Sequence, residues 1–416
     1  MKRFALIGGA LLVLGAGIAA AVAVREREGA DVHGSSSVGF VTTDAPPPRP
    51  PSFGIDWAMN GYDPARDRVA PADRVRPPFR QAWVAGGDSL LEFPPAIAYG
   101  RLFYGDGGGR VIALSARTGQ RAWVFDSHRG LAASPAVGPY RHGTVYEVFL
   151  NPRSSHVQNP QDGLVVALSA GWGVVRWRTR VGASETSPLL AYGRLYVGGW
   201  NGTIYALDQA TGRIEWRFET GGPVKGGLAA EGGRVYAGSY DGHVYALDAR
   251  TGRLLWHASG DPRLLGGHGT FYSTPAVADG RVHIGSTDHK LYSFGAATGR
   301  ERWSHSTGGY VYGSPAVWNG LVLVGSYDHR FYALDAATGA ERWRFAADGP
   351  VSGSAVVLDG VVYFSTLKET TYGLDASTGA ELWRYPDGKY AAVVADAQRL
   401  YLMGYSVVRA FVPVAR

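Results

Sequence analysis

Gly242–Trp256 reads GHVYALDARTGRLLW, and Gly202–Trp216 reads GTIYALDQATGRIEW. Each is a short run of alternating apolar residues, a Leu-Asp-Ala step, a Thr-Gly turn and a closing tryptophan. Working outward, the closing tryptophan recurs at Trp83, Trp123, Trp177, Trp216, Trp256, Trp303, Trp343 and Trp383, with spacings of 40, 54, 39, 40, 47, 40 and 40 residues. A period near 40 built from short strands and glycine-punctuated turns specifies a β-propeller.

Each unit divides into four strands. In the unit ending at Trp256, strand A lies near Gly227–Ala230, strand B over Arg234–Ser239, strand C over His243–Asp248 and strand D over Arg253–Ala258. Asp-Gly and Thr-Gly supply the turn conformations with positive φ between them. One such sheet cannot bury both faces, so units must stack. Inner-strand segments are expected at Pro94–Ala98, Ser134–Gly138, Ser187–Ala191, Gly227–Ala230, Thr274–Ala278, Ser314–Trp318, Ser354–Leu358 and Ala391–Ala395. The last is followed by two strands and no tryptophan, while Trp83 has no inner strand before it. The expected solution is an all-β, eight-bladed propeller of four-stranded antiparallel blades, closed by the Trp83 strand as the outer strand of the C-terminal blade.

The stretch Ala-x-Asp-x-x-Thr-Gly-x-x-x-Trp is complete at Ala206–Trp216, Ala246–Trp256 and Ala333–Trp343, and has one change at Ala113–Trp123 (Ser115) and Gly373–Trp383 (Gly373). Ser293–Trp303 has Gly295 for the Asp, and Ala167–Trp177 is the weakest copy, with Ser169 and Trp172. This pattern resembles the tryptophan-docking repeat of pyrroloquinoline-quinone (PQQ) type propellers, over roughly residues 77–416. The resemblance implies a fold shared by quinoprotein dehydrogenases and by the non-enzymatic propeller of outer-membrane barrel assembly, with the tryptophans lying between blades. The bland physical reading agrees. A motif needed in every blade does not mark one site, and an indole suits packing between stacked sheets.

Ahead of the ring, Met1–Val24 carries Lys2-Arg3 and then 21 uncharged residues, Phe4–Val24. That is long enough to span a bilayer, with the basic residues inside and the propeller outside. It reads as an uncleaved anchor, with Ala19–Ala23 offering signal-peptidase cleavage as the alternative. Residues 25–54, with Gly34-Ser35-Ser36-Ser37 and Pro46–Pro51, read as a spacer. Residues 55–76, opening Ile55–Arg68 (IDWAMNGYDPARDR), read as a lead-in lying on the propeller, and 77–416 as the propeller itself. The protein is therefore expected at the outer side of a bacterial cytoplasmic membrane, or secreted if the leader is cleaved.

The 416 residues include no cysteine, so disulfides and a cysteine-borne lipid are excluded. The formal charge of +6 is scattered, often in Thr-Gly-Arg turns, and does not form a nucleic-acid stripe. A PQQ dehydrogenase would need a clamped cofactor, oxygen ligands for Ca²⁺ and a carboxylate base. Five of the seven spacings are 39 or 40 residues and leave almost nothing to build such a cage. The reading is a non-catalytic scaffold with no cofactor and no metal, binding an envelope protein or polymer. The alternative is a PQQ- and Ca-dependent dehydrogenase of alcohols or sugars.

Two insertions, Asn151–Asp162 and Gly260–Tyr272, fall on the face that carries the B–C turns and the D-to-A linkers. Loops on a rigid scaffold carry function, which nominates that face. Its candidate residues are Glu185, Lys225, His268, Tyr272, Tyr310 and Lys389 in the linkers, with Trp200, Tyr240 and Tyr327 in equivalent B–C turns. Asp288-His289 and Asp328-His329 replace Asp-Gly in two other turns. They read as turn substitutions rather than metal ligands, because His tolerates positive φ.

Overall fold

The Thr-Gly turns, placed once per repeat, bring each strand C back on a strand D, and the chain closes into eight sheets around one axis. The computed structural model describes residues 55–70, 75–86, 89–155, 157–261, 269–391 and 393–414, all within the compact unit Ser52–Arg416. Blades 1 to 7 occupy 96–126, 136–181, 189–219, 229–259, 276–306, 316–346 and 356–385, each with its four strands in chain order from the inside outward. Blade 8 takes Val394–Ala395, Leu400–Met403 and Val407–Pro413 from the C-terminus and Phe79–Gly86 from the N-terminus. The ring is closed by the Trp83 strand, as the sequence indicates.

Every docking tryptophan preceded by a bulge tells the same story. In blade 4, Ala246 pairs with Trp256 and Leu247 with Leu254, so Leu255 is the extra residue. The closing strand repeats this: Trp83 pairs with Ala410 and Gln81 with Phe411, which leaves Ala82 over. The bulge turns the indole toward the next blade. There Trp216 Nε1 donates to the carbonyl of Ala249 at 3.1 Å, Trp256 to Ala296 at 3.0 Å, Trp303 to Ala336 at 3.0 Å and Trp83 to Ala116 at 3.2 Å. Tyr196, Tyr236 and Tyr401 hydroxyls share the carbonyls of Ala249, Ala296 and Ala116. Burying roughly 150 Å² of indole at about 25 cal/mol/Å² is worth roughly 4 kcal/mol per blade junction.

The glycine of Thr-Gly is required twice over. Gly252 has φ +73°, and a Cβ there would lie 2.6 Å from Trp216 Cδ2. The Asp of Leu-Asp-Ala closes the same turn: Asp248 Oδ1 accepts from Thr251 N at 2.8 Å and from its hydroxyl at 2.7 Å.

The inner strands are shorter than expected, for example Ala276–Ala278 rather than Thr274–Ala278. Their first residues leave the ladder and bond sideways between blades. Ser134 N donates to Ser187 Oγ at 3.0 Å, Thr274 N to Ser314 Oγ at 3.0 Å and Ser314 N to Ser354 Oγ at 3.2 Å. The lead-in does more than lie on the propeller. Ile55–Trp57 adds to the inner strand of blade 1 and Val69–Ala70 to that of blade 7. Between them the carbonyls of Ala58, Pro64, Ala65, Asp67 and Arg68 accept from Val137, Ala230, Val277, Val317 and Val357. All five donors sit one residue before an A–B turn, so this segment crosses the channel at its A–B end.

Among the described residues, no helix is long and apolar enough to cross a membrane. Met1–Val24 and the spacer lie outside the described residues.

Candidate functional site

With the lead-in across one end, the channel becomes a cavity of about 500 Å³ facing the B–C and D-to-A side. Its floor is Asn60 and Arg68, its walls include Ser187, Thr274, Ser314 and Ser354, and its rim carries Tyr240, Tyr272, Tyr312, Tyr327 and Tyr390. The floor is held firmly. Tyr62, Arg66 and Arg68 take φ of 75°, 58° and 61°, a left-handed conformation that persists only where surroundings enforce it. Arg66, fully buried, does the enforcing: Nε donates to Leu228 O at 2.7 Å, Nη2 to Ser187 O at 3.0 Å and Pro188 O at 3.1 Å, and Nη1 to Asn60 O. Burial, then the neighbouring Arg68, brings the Arg66 guanidinium down to about 9. Burial brings Arg68 down to about 10, against the pull of Asp67. Both remain cations at neutral pH.

On the wall, Lys225 Nζ lies 3.2 Å from Glu185 Oε1, an ion pair with poor hydrogen-bond alignment, and 4.5 Å above the Trp200 ring. It is also 5.3 Å from the centre of Tyr240. Burial pushes the Glu185 carboxyl up, and Lys225 partly offsets this. Glu92 is pushed up by burial and by Glu185. From Tyr240 an aromatic arc runs through Tyr272 (6.3 Å), Tyr312 (5.4 Å) and Tyr327 (5.0 Å). Burial drives the Tyr240 and Tyr272 hydroxyls strongly upward, so both are neutral donors.

The fold therefore gathers Glu185, Lys225, Tyr240, Tyr272 and Tyr327 at one cavity, with Trp200 beneath Lys225. Tyr310 is exposed and packs on Tyr312 at 5.5 Å and His289 at 5.0 Å, just outside the mouth. Lys389 stands on the opposite rim, 3.3 Å from Glu369 and 5.5 Å above Tyr390. His268 lies outside the described residues. His289 and His329 have φ of 72° and 68° and serve their turns. Sequence reasoning missed Asn60, Arg68, Glu92, Tyr312 and Tyr390. The recurring Ser-Pro and Thr-Pro steps at Ser187, Thr274 and Ser314 are a repeat signal that could have found the walls, but nothing in the lead-in marked the floor.

The described residues of the insertion after strand B of blade 2 form a brace. Asn151 Nδ2 ties to Asn159 O at 2.8 Å, Arg129 to Asp162 at 2.7 Å and Arg153 to Asp126 at 2.9 Å.

The profile of the family described as outer membrane protein assembly factor BamB matches residues 161–314, 244–335 and 307–410. The chain belongs to this PQQ-like propeller family. It is 32% identical over 197 residues to the dehydrogenase subunit of the quinone alcohol dehydrogenase of Gluconobacter oxydans (strain 621H), covering 40% of this chain and 25% of that one. It is 28% identical over 139 residues to BamB of Yersinia pestis, covering 33% and 34%. The matched stretches thus span a quarter to a third of those relatives. The crystal structure of BamB from Moraxella catarrhalis superposes with a TM-score of 0.65 at 21% identity, over 82% of this chain and 99% of that one, a likeness of fold.

Among the described residues no three His, Cys, Asp or Glu side chains cluster as a metal site. The cavity lining carries charges of both signs: Arg68 at the floor, Lys225 beside Glu185, and Glu92, with the Asn60 amide.

Proposed function

We propose that this chain is a membrane-tethered extracytoplasmic scaffold that binds a protein or envelope polymer at the open mouth of its channel, without catalysing a reaction. The observation that carries this reading is the arc Tyr240–Tyr272–Tyr312–Tyr327 beside the Glu185–Lys225 pair, a rim of aromatic anchors and charge around a cavity. Such anchors are the usual energetic centre of a recognition surface. The BamB relatives support a protein partner, and the apolar Met1–Val24 supports the tether. The likeness to the Gluconobacter dehydrogenase favours a second reading, a PQQ- and Ca-dependent dehydrogenase of alcohols or sugars.

Two assays separate these. The first records thermal shift and dye-coupled oxidation of alcohols and aldoses with added PQQ and Ca²⁺, and the scaffold reading expects neither stabilisation nor turnover. The second compares envelope proteins and polymers retained by the wild type and by a Lys225→Met, Tyr312→Ala variant. Specific retention lost in the variant supports the scaffold, and turnover in the first assay overturns it.

A further inference from the structure

The A–B and C–D turns share the face opposite the mouth, and they are not alike around the ring. The A–B turns of blades 1, 2 and 3 carry Tyr99, Tyr140 and Tyr192, whereas blades 4, 5, 7 and 8 carry Glu231, Asp279, Asp359 and Asp396 there. The C–D turns divide in a similar way. Blades 1 and 2 have Ser115 and Ser169 where blades 3, 4, 6 and 7 have Asp208, Asp248, Asp335 and Asp375. Blades 1 and 2 thus present a sector with tyrosines and without a turn carboxylate.

That sector also holds the most exposed large hydrophobic side chain among the described residues. Trp172 is 83% exposed and Val174 63%. Every other C–D turn between Trp83 and Trp383 has Thr at the place of Trp172, so the turn itself does not call for an indole. Arginines tie the patch together. Arg101 Nη1 donates to Ala170 O at 2.7 Å and to Gly171 O at 2.9 Å, and Arg176 donates to the carbonyls of Tyr140 and Arg141 at 2.8 Å each. Arg141 is exposed, its guanidinium 5.4 Å from the centre of the Tyr140 ring. Among the described residues none of these three arginines forms an ion pair; their partners are carbonyls and hydroxyls.

Where the chain enters the ring indicates what this sector faces. Ile55 pairs with Ala98, the neighbour of Tyr99, so residues 1–54 join the propeller beside the aromatic turns. They include the apolar Phe4–Val24, and residues 25–54 reach at most about 100 Å. We infer that the blade 1–2 sector is a membrane-contacting surface. Trp172 and Val174 enter the interfacial layer of an anionic bilayer, and Arg141 meets its phosphates with Arg101 and Arg176 behind it. Indole and phenol rings favour that layer, and basic side chains are drawn to anionic lipid. The inference rests on the tethered reading and adds a second contact to it. A patch this small holds a free protein weakly, but a tether raises the local concentration of the bilayer and keeps the contact occupied. The acidic turns across the ring are repelled by the same lipid, and the open mouth faces away from it.

The chain has no cysteine, so single-cysteine labels test this cleanly. Val174→Cys, or its counterpart Ala340→Cys on the opposite blade, carries a nitrobenzoxadiazole label on the full-length chain. The chain is reconstituted in phosphatidylcholine vesicles with and without about one-third phosphatidylglycerol. With the anionic lipid, the Val174→Cys label is expected to shift to the blue by about 10 nm and to be quenched by brominated lipid, while the Ala340→Cys label does neither. Adding Ser169→Asp and Trp172→Thr rebuilds the turn of the other blades. It should remove about half or more of that shift without lowering the melting temperature, which a purely structural Trp172 would lower. A label that stays in water, the same shift at both positions, or a shift indifferent to phosphatidylglycerol overturns the inference. So does a shift that grows with protein density, which would assign the patch to a second copy. Flotation of the unlabelled chain with the vesicles keeps the two readings apart. A chain that floats with a solvent-like Val174→Cys label loses only this contact, and one that does not float loses the tether as well.

Discussion

Trp83 stands opposite Ala410 across the last sheet, and its indole donates to Ala116 of blade 1 at 3.2 Å. One residue from the start of the ring thus clasps the final blade and the first. Removing Phe79–Ala85 is expected to lower the melting temperature of the whole domain in a single step, since blade 8 would then expose an unpaired edge. Trp83→Ala alone should cost about 3 kcal/mol, read from urea unfolding. An unchanged melting temperature in the deletion would sink closure by this strand.

Gly252 and Gly280 separate two costs. Both have positive φ, +73° and +69°, but only Gly252 faces an indole; nothing lies within 4 Å of a Cβ at Gly280. Gly280→Ala should cost about 1 kcal/mol for the left-handed backbone. Gly252→Ala should cost about 3 kcal/mol, because Trp216 must also move. Equal losses by chemical denaturation would mean that the indole contact carries no energy.

Glu147 is fully buried in blade 2, and burial raises its carboxyl well above the usual 4.5. The folded chain therefore keeps a proton that the unfolded chain releases above about pH 4.5, so Glu147 lowers stability progressively as pH rises past that point. Glu147→Gln should gain on the wild type between pH 5 and 8, at up to about 1.4 kcal/mol per pH unit. A constant difference across that range, measured by urea unfolding, would show that Glu147 ionises inside the fold.

Arg66 holds the channel floor. Arg66→Met leaves the carbonyls of Leu228, Ser187, Pro188 and Asn60 without their donor. A loss of at least about 3 kcal/mol is expected, together with faster protease cleavage within residues 58–68. Wild-type resistance in the variant would mean that the backbone bonds to the inner strands suffice.

The fold was legible because its cause is local and repeated. Asp248, Thr251, Gly252 and Trp256 lie within nine residues of one another, and each does the same job in every blade where it occurs. Closure was legible for the related reason that Trp83 is a strand-D tryptophan without a blade. The site was legible only at its rim, where Glu185, Lys225, Tyr240 and Tyr327 are set by their place in the repeat. Its floor was hidden. The segment Asp63–Arg68 has the composition of a solvated loop, and arginines are seldom buried without pairing. The carbonyls of Ser187, Pro188 and Leu228, far away in sequence, together with that of Asn60, make Arg66 a core residue. His283 shows the same limit on a smaller scale. It occupies the place of Tyr236, packs on Trp303 in a tilted arrangement with ring centres 5.5 Å apart, and burial brings its imidazole down to about 3, so a residue that suggests chemistry is packing.

The lead-in that crosses the channel at its A–B end also constrains the order of events at the other end. Anything small that enters the cavity from the open mouth meets Asn60 and the lead-in at its far end. A large partner seated on the tyrosine rim would lie across that mouth. Occupancy would then be sequential: a small molecule would be first in and last out, and its rate of departure would follow the lifetime of the partner above it.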